Sequence, residues 1–404
     1  MKNFCWTLGV LAALCVPSVE AMNREIRALF QPDPAQPNKN EFINKTPNSG
    51  YCVNYPSECA DNRMFSIRVP IQFQSFRAIR PGEGVAVKVP ANWRKLTVTH
   101  QDTQETETVE VRIIGIGSRY MLSDSAANLV GVTDLLEGHQ KLWSGGSWVY
   151  APSPCLYSGI GGYTPANYTF FWKAPVEAAC TKLAQYTIPS MTLDHLDFAY
   201  ELRTPNPLGM SSGLYNGSLS YFVGPGGDFS MGPMMTPDDY LLTLDFVLDV
   251  QHTLKVDLPP GGSKVALEPE GGWQRWIESG RKPSRIYRDQ LFYMSASSRF
   301  RVMLRCNVAG GDTCSLWNPD YTKRAVVQTK LSLPPGIDGH NGPVKELVLR
   351  PNSWLGPFQP GFYVDRKAGS LRFEMTQDSI DFLFRPGFSD TFSGNITVIW
   401  DSEV

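Results

Sequence analysis

What constrains this chain most is a recurring pattern: short runs in which apolar residues fall at every second position, each closed by glycine, proline or asparagine. Examples are MFSIRVPIQF (64–73), GVAVKVP (84–90), KLTVTH (95–100) and TVEVRIIGIG (108–117). The pattern continues in FAYELR (198–203), LYNGSLSYFVG (214–224) and YLLTLDFVLDVQHTLKVDLPPGG (240–262). A second series follows, with KVALEP (264–269), FYMSASSRFRVMLRCN (292–307), AVVQTKLSL (325–333), VKELVLRP (344–351), GFYVDR (361–366) and SLRFEMT (370–376). Alternation of this kind puts apolar side chains on one face of a strand and polar ones on the other. Its return about every ten residues between turn signals marks sandwiches and barrels. The 35 glycines and 31 prolines supply the breaks and argue against a helical protein. The expected fold class is all-β, in two β-sandwich domains.

The chain opens with an export signal. MKNFCWTLGVLAALCVPSVEA (1–21) has Lys2, an apolar run from Phe4 to Val16, and Val19 and Ala21 ahead of a cleavage point. Such a segment is a secretory leader, too short to anchor in a membrane. What remains of 404 residues fits two domains better than one. Residues 22–253 form the first and 254–404 the second, with the boundary near Gln251 to Leu254. No internal repeat relates the halves. Residues 22–50, rich in proline and asparagine, read as a loose or extended start. SDSAANLVGVTDLLEGHQKLW (123–143) holds a short helix, with Ser123 or Ser125 able to cap it. GGWQRWIESG (271–280) reads as one helical turn packing Trp273 and Trp276.

Cysteine usage agrees with export. Cys5 and Cys15 leave with the leader, and six cysteines remain. An even number in an oxidising compartment reads as disulfides. Of the many connectivities, the sequence-local one is expected: Cys52–Cys59, Cys155–Cys180 and Cys306–Cys314. No CxxC or Cys/His cluster with zinc spacing is present, so neither a metal nor a cofactor is expected. The net charge is −2, without a charge run, which gives no electrostatic basis for a nucleic-acid partner.

Signs of catalysis are weak. GMSSG (209–213) matches G-x-S-x-G around Ser211, but a nucleophile elbow needs a strand before it and a helix after it. Here Thr204-Pro205-Asn206-Pro207 precedes it and a strand-like run follows, so a turn leading into a strand is expected. In DHLD (194–197), two carboxylates flank His195, which reads as a surface or strand-end histidine. The chain is not expected to be an enzyme.

Composition is most unusual in 139–172, HQKLWSGGSWVYAPSPCLYSGIGGYTPANYTFFWK, where aromatics are interleaved with glycines. Rings on a pinned loop offer flat apolar faces at low entropic cost, and sugar rings stack on such faces. Trp143, Trp148, Tyr157 and Tyr163 are the candidates for receptor binding. The alternation of Tyr168, Phe170 and Trp172 assigns those three to a core strand instead. Sequons occur at Asn44, Asn167, Asn216 and Asn395. Asn395 lies inside a strand-like run, FSGNITVIWDSEV (392–404), an awkward place for a glycan. That run has no further strand after it, and an unpaired strand edge is an aggregation hazard.

Three segments together resemble one family, the tip adhesins and minor tip subunits of chaperone–usher fimbriae, of the colonisation-factor and cable-pilus type. NPLGMSSGLYNGSLSYFVG (206–224) looks like a strand pair late in that group's adhesin domain. HTLKVDLPPGGSKVALEPEGGW (252–273) resembles its interdomain strand, and FSGNITVIWDSEV (392–404) looks like the strand that closes its pilin domains. The resemblance implies an immunoglobulin-like C-terminal pilin domain that is incomplete, lacking its last strand. A periplasmic chaperone first supplies that strand, and the next pilin subunit replaces it at the outer-membrane usher, a case of β-strand addition. The expected docking edge is Ile396, Val398 and Trp400, with the Val404 carboxylate available to a chaperone's basic residues. Prolines at Pro32, Pro34 and Pro37 make a long donor strand in 22–40 unexpected, which suits a tip position.

The expected function is therefore a fimbrial tip adhesin, secreted through the periplasm to the cell surface. It would bind a host-surface glycan or glycoprotein. The alternatives are a non-adhesive minor pilin that initiates assembly and, more remotely, a secreted hydrolase using Ser211.

Overall fold

The computed structural model describes residues 22–61, 65–157 and 161–402. The expected leader at 1–21 and the expected Val404 carboxylate contact lie outside the described residues. The chain is mostly β, and its buried apolar residues gather in two large cores, one drawn from Ile26 to Val250 and the other from Phe292 to Leu371.

The first core is enclosed by a long curled sheet. Strand β1 is Met22–Phe30; two short helices follow, α1 (Tyr51–Asn54) and α2 (Pro56–Asp61). Then come β2 (Phe73–Ser75), β3 (Arg94–His100), β4 (Thr106–Leu122), α3 (Ala126–Val130) and α4 (Leu135–Leu142). They are followed by β5 (Asn167–Lys173), β6 (Met191–Leu193), β7 (Leu196–Arg203), β8 (Gly213–Phe222), β9 (Met235–Pro237) and β10 (Leu241–Val250). The main order across the sheet is β9-β2-β6-β4-β3-β8-β10-β1, with β5 and β7 also paired to β4. Strand β4 can serve so many partners because it is long and curls. Its first half pairs with β3, its middle with β7 and its second half with β5 and β6. At Gly117 on this strand a Cβ would stand 2.5 Å from the Phe171 ring, so glycine is what lets β5 lie so close.

Residues 22–30 are extended and tied into the sheet. Strand β1 pairs in parallel with β10 over its whole length, from Met22↔Leu242 to Phe30↔Val250. Ile26, Ala28 and Phe30 are buried against the alternating Leu242, Leu244, Phe246, Leu248 and Val250 of β10. The prolines that discourage a strand all come after Phe30. Residues 123–143 hold two helices rather than one. Gly131, at φ 73°, ends α3, and Ser125 caps it by accepting from Asn128 N at 3.1 Å.

The second core lies between two sheets. Its strands are β11 (Leu254–Asp257), β12 (Ile286–Ala296), β13 (Phe300–Cys306), β14 (Thr313–Trp317), β15 (Arg324–Ser332), β16 (Trp354–Pro360), β17 (Val364–Met375) and β18 (Ile396–Ser402). One sheet runs β11-β12-β17-β15-β14; the other includes β16-β13-β18. This is a sandwich of immunoglobulin-like form. Helix α5 (Gly272–Ser279) is longer than the expected single turn; Trp276 packs on Phe384, while Trp273 is 43% exposed.

All three disulfides join the sequence-local pairs. Cys52–Cys59 ties α1 to α2, Cys155–Cys180 ties the aromatic loop to the core, and Cys306–Cys314 staples β13 in one sheet to β14 in the other. Gln251, His252 and Thr253 belong to no strand and connect β10 to β11.

Candidate functional site

Two places combine sequence signals with unusual geometry: the edge at β18 and the aromatic loop. Strand β18 pairs antiparallel with β13 from Ile396↔Cys306 to Ser402↔Phe300, and among the described residues its other edge has no partner. Ile396, Val398 and Trp400 face the second core, as alternation requires, yet none of them is fully buried. The Trp400 ring lies 5.1 Å from Phe292 and 6.0 Å from Phe300, centre to centre.

Across from β18 runs the segment 263–267. Residues 264–267 form no strand pair among the described residues, and Val265 and Leu267 are half-buried. Between the two lies a groove of about 410 Å³, floored by Leu316, Val327 and Phe373. It continues into a second cavity of about 760 Å³ that reaches Trp276, Phe384 and Phe388. Two strand-like segments thus face each other with unpaired backbone and apolar side chains between them. A stretch of that kind is a template for another strand.

The aromatic loop is largely a core. The structure buries Trp143 (2% exposed) and Trp148 (0%), which corrects the expectation that both present free faces to a receptor. The Trp148 ring sits 4.5 Å from Phe170, 5.1 Å from Trp172 and 5.1 Å from Trp143. Glycine-interleaved aromatics look alike in sequence whether they face in or out; what decides here is that β4 and β5 curl beneath the loop. Tyr157 and Tyr163 do remain exposed. Tyr168, Phe170 and Trp172 are buried, as their alternation implies.

Sequence reasoning missed Lys182, which is buried under the loop. Its Nζ donates to the carbonyls of Tyr150 at 2.9 Å and Gly145 at 3.4 Å. Burial pushes its pKa down to about 8. A single lysine between Thr181 and Leu183 carries no sequence signal of this role. Buried Tyr120 and His139 add a second polar tie, with Tyr120 Oη 2.6 Å from His139 Nδ1.

His195 stands at a strand end, just before β7, but it is buried, which corrects its reading as a surface residue. Its Nδ1 contacts Asp194, and its Nε2 lies 3.4 Å from Asp197 Oδ2. Arg68 holds Asp197 through two bonds of 2.7 and 2.8 Å, and Arg119 Nε donates to Asp194 at 2.6 Å. The backbone at Gly50 passes so close that a Cβ there would lie 2.3 Å from Asp197. Burial opposes charging His195, but Asp194 and Asp197 outweigh it and raise its pKa above the ordinary 6.5. Burial likewise opposes ionising Asp194, but His195 and Arg119 hold it below the ordinary 3.8.

The raised histidine contributes fully below pH 6.5 and less as pH climbs through its folded value; the lowered aspartate contributes above pH 3.8 and less on acidification. Stability should therefore be greatest between about pH 4 and 6.5. Urea midpoints across pH should show this window, and His195→Gln should lose the alkaline-side decline. An identical decline in the variant would assign it to another group.

Ser211 follows a short 3₁₀ turn, Pro207–Gly209, and precedes β8, so no elbow forms. Its N–H donates to Tyr215 Oη at 2.9 Å and to Glu105 at 3.2 Å. The turn is instead where the two parts of the chain meet. His252 Nε2 donates to Met210 O at 2.9 Å, and Gln359 Nε2 donates to Leu208 O at 2.9 Å.

No family model matches the chain, and no curated protein matches it. Solved structures do. One is a chaperone–tip adhesin complex of CFA/I fimbriae, at 10% identity, covering 95% of this chain and 97% of that one, with a TM-score of 0.28. Another is CfaE, the adhesive subunit of CFA/I fimbria of enterotoxigenic Escherichia coli, at 11% identity, 95% of each chain and a TM-score of 0.27. A third is the CsuC–CsuE chaperone–tip adhesion subunit pre-assembly complex from the archaic chaperone–usher Csu pili of Acinetobacter baumannii. It matches at 9% identity over 94% of this chain and 98% of that one, with a TM-score of 0.21. All three are tip adhesin structures, the group that the three sequence segments resemble. Scores this low carry no argument about function, which rests on the geometry of β18 and its groove.

Proposed function

We propose that this chain is a tip adhesin of a chaperone–usher fimbria. Residues 22–253 bind a glycan or glycoprotein on a host surface, and residues 254–404 join the chain to its fibre. The joint is a strand received from outside, first from a periplasmic chaperone and then, at the outer-membrane usher, from the next pilin subunit.

One observation carries the reading: the edge of β18 that has no strand partner among the described residues faces the segment 264–267 across a groove floored by Leu316, Val327 and Phe373. Strand addition needs such a pair of edges, since main-chain bonds give affinity and alternate side chains fill the pockets. The pairing of 22–30 within its own sheet adds support, because that strand is already engaged with β10 and is not available to a neighbour.

The test is attachment. Beads coated with the full chain, its groove filled by a fused strand, should adhere to epithelial cells. Beads carrying a chain with β1 intact but Val398→Lys should fail to assemble on a fibre while still adhering. A chain that incorporates into fibres and adheres to no cell in any format would instead be the non-adhesive minor pilin.

A further inference from the structure

We propose that the outer face of β9, β2 and β6 is a binding site for a neutral oligosaccharide. The inference rests on the reading of the first part of the chain as receptor-binding, and it names a place and a ligand class for that role.

The site follows from register. Gln74 on β2 stands opposite Thr192 of β6 on one side and Thr236 of β9 on the other. Cross-strand neighbours of this kind have Cβ atoms about 5 Å apart. Period two turns Phe73 and Ser75, Met191 and Leu193, and Met235 and Pro237 inward, where all are buried, and sends Gln74, Thr192 and Thr236 outward. The three form a line across the floor of an open depression of about 490 Å³, with Gln72, Phe76 and Asp238 at its margin.

The chemistry is that of sugar recognition. Among the described residues, the side chains of Gln72, Gln74, Thr192 and Thr236 have no protein partner. Amides and hydroxyls both donate and accept, as sugar hydroxyls do. Beside them Phe76 is 62% exposed and offers a flat ring to the C–H face of a pyranose. The Arg77 guanidinium lies over that ring at 5.7 Å and is itself held by Glu83 through two 2.8 Å bonds.

Charge selects a neutral ligand. The only charged residue in the lining is Asp238, whose Oδ1 accepts from Gln72 N at 2.9 Å. An acidic sugar would meet the Asp238 carboxylate, and the Arg77 guanidinium beside Phe76 is already paired with Glu83. The backbone is held in place, with Asp238 N donating to Gln72 O at 3.0 Å and Met191 N to Ser75 Oγ at 3.0 Å. Placement also fits. Strand β10 begins three residues after Asp238 of this site, and its ten residues run about 30 Å to Val250 at the junction with the second part. The depression therefore lies at the end of the first part far from the fibre joint.

The experiment applies the full chain, with its groove filled by a fused strand, to a printed array of neutral and sialylated mammalian oligosaccharides. Binding to neutral members is expected, and Gln74→Ala, Thr236→Val and Phe76→Ala should each weaken it about tenfold, the size of one lost hydrogen bond or stacked ring. Melting curves check the fold; should Phe76→Ala unfold, exposed Gln74→Ala still decides. Unchanged affinity in Gln74→Ala, loss in Tyr157→Ala or Tyr163→Ala alone, or binding confined to sialylated members would overturn the site. A silent array with intact attachment to cells would overturn this inference and leave the adhesin reading standing. Absence of both would remove the two together.

Discussion

Filling the groove should raise the melting temperature of the second part by about 12–24 °C. An appended strand of alternating apolar residues, on a linker long enough to lie between β18 and 263–267, would bury three or four new side chains. It would also cover Ile396, Val398, Trp400, Val265 and Leu267, which are now half-buried. Each buried aliphatic side chain contributes about 1.5–3 kcal/mol, and each new backbone bond about 1 kcal/mol. Against this stands the closure of the linker, which grows only slowly with length. A net gain of about 6 kcal/mol converts to the stated shift at 2–4 °C per kcal/mol. Calorimetry on the full chain, with and without the strand, reads it directly. The plain chain should also associate through its free edge, and the filled one should be monomeric. A second transition unmoved by the strand, in a chain already monomeric, would show that the sandwich is complete as it stands.

Trp148→Ala should cost the first part about 3–5 kcal/mol, the usual range for removing a buried large aromatic. The residue touches Tyr120, Trp143, Phe170 and Trp172, and its own carbonyl accepts from Trp172 Nε1 at 2.7 Å. The loss therefore opens a cavity in the middle of the aromatic core and loosens the loop that Lys182 holds from below. Exposed Tyr157→Ala and Tyr163→Ala should stay within about 0.5 kcal/mol of the parent. Urea denaturation measures the difference. A Trp148→Ala protein with an unchanged midpoint, and altered only in binding, would return that residue to the receptor site. This contrast matters because a tryptophan substitution that abolishes attachment could otherwise be misread as the loss of a contact.

Where local pattern and tertiary surroundings agree, the sequence was legible. Alternation in Leu241–Val250 names its own buried face, and the three disulfides join the cysteines closest in sequence. The edge residues Ile396, Val398 and Trp400 face the core on the same logic. Two short segments proved harder. Residues 22–30 alternate only briefly, so their strand depends on a parallel partner more than two hundred positions away. Gln72, Gln74, Thr192 and Thr236 are unremarkable one by one, and no spacing in the sequence joins them.

By itself, then, the sequence determined the β class, the division into two apolar series and the inward face of most strands. Each of these depends on composition or on a period of two, and both are local properties. The tertiary structure alone decided that Trp143 and Trp148 are core, that His195 is buried between two carboxylates, and that a line of polar side chains lies beside Phe76. Curling of the long strand β4 and the cross-strand register of β9, β2 and β6 bring these residues together. Register is set by contacts between distant segments, so it leaves no mark on any one of them.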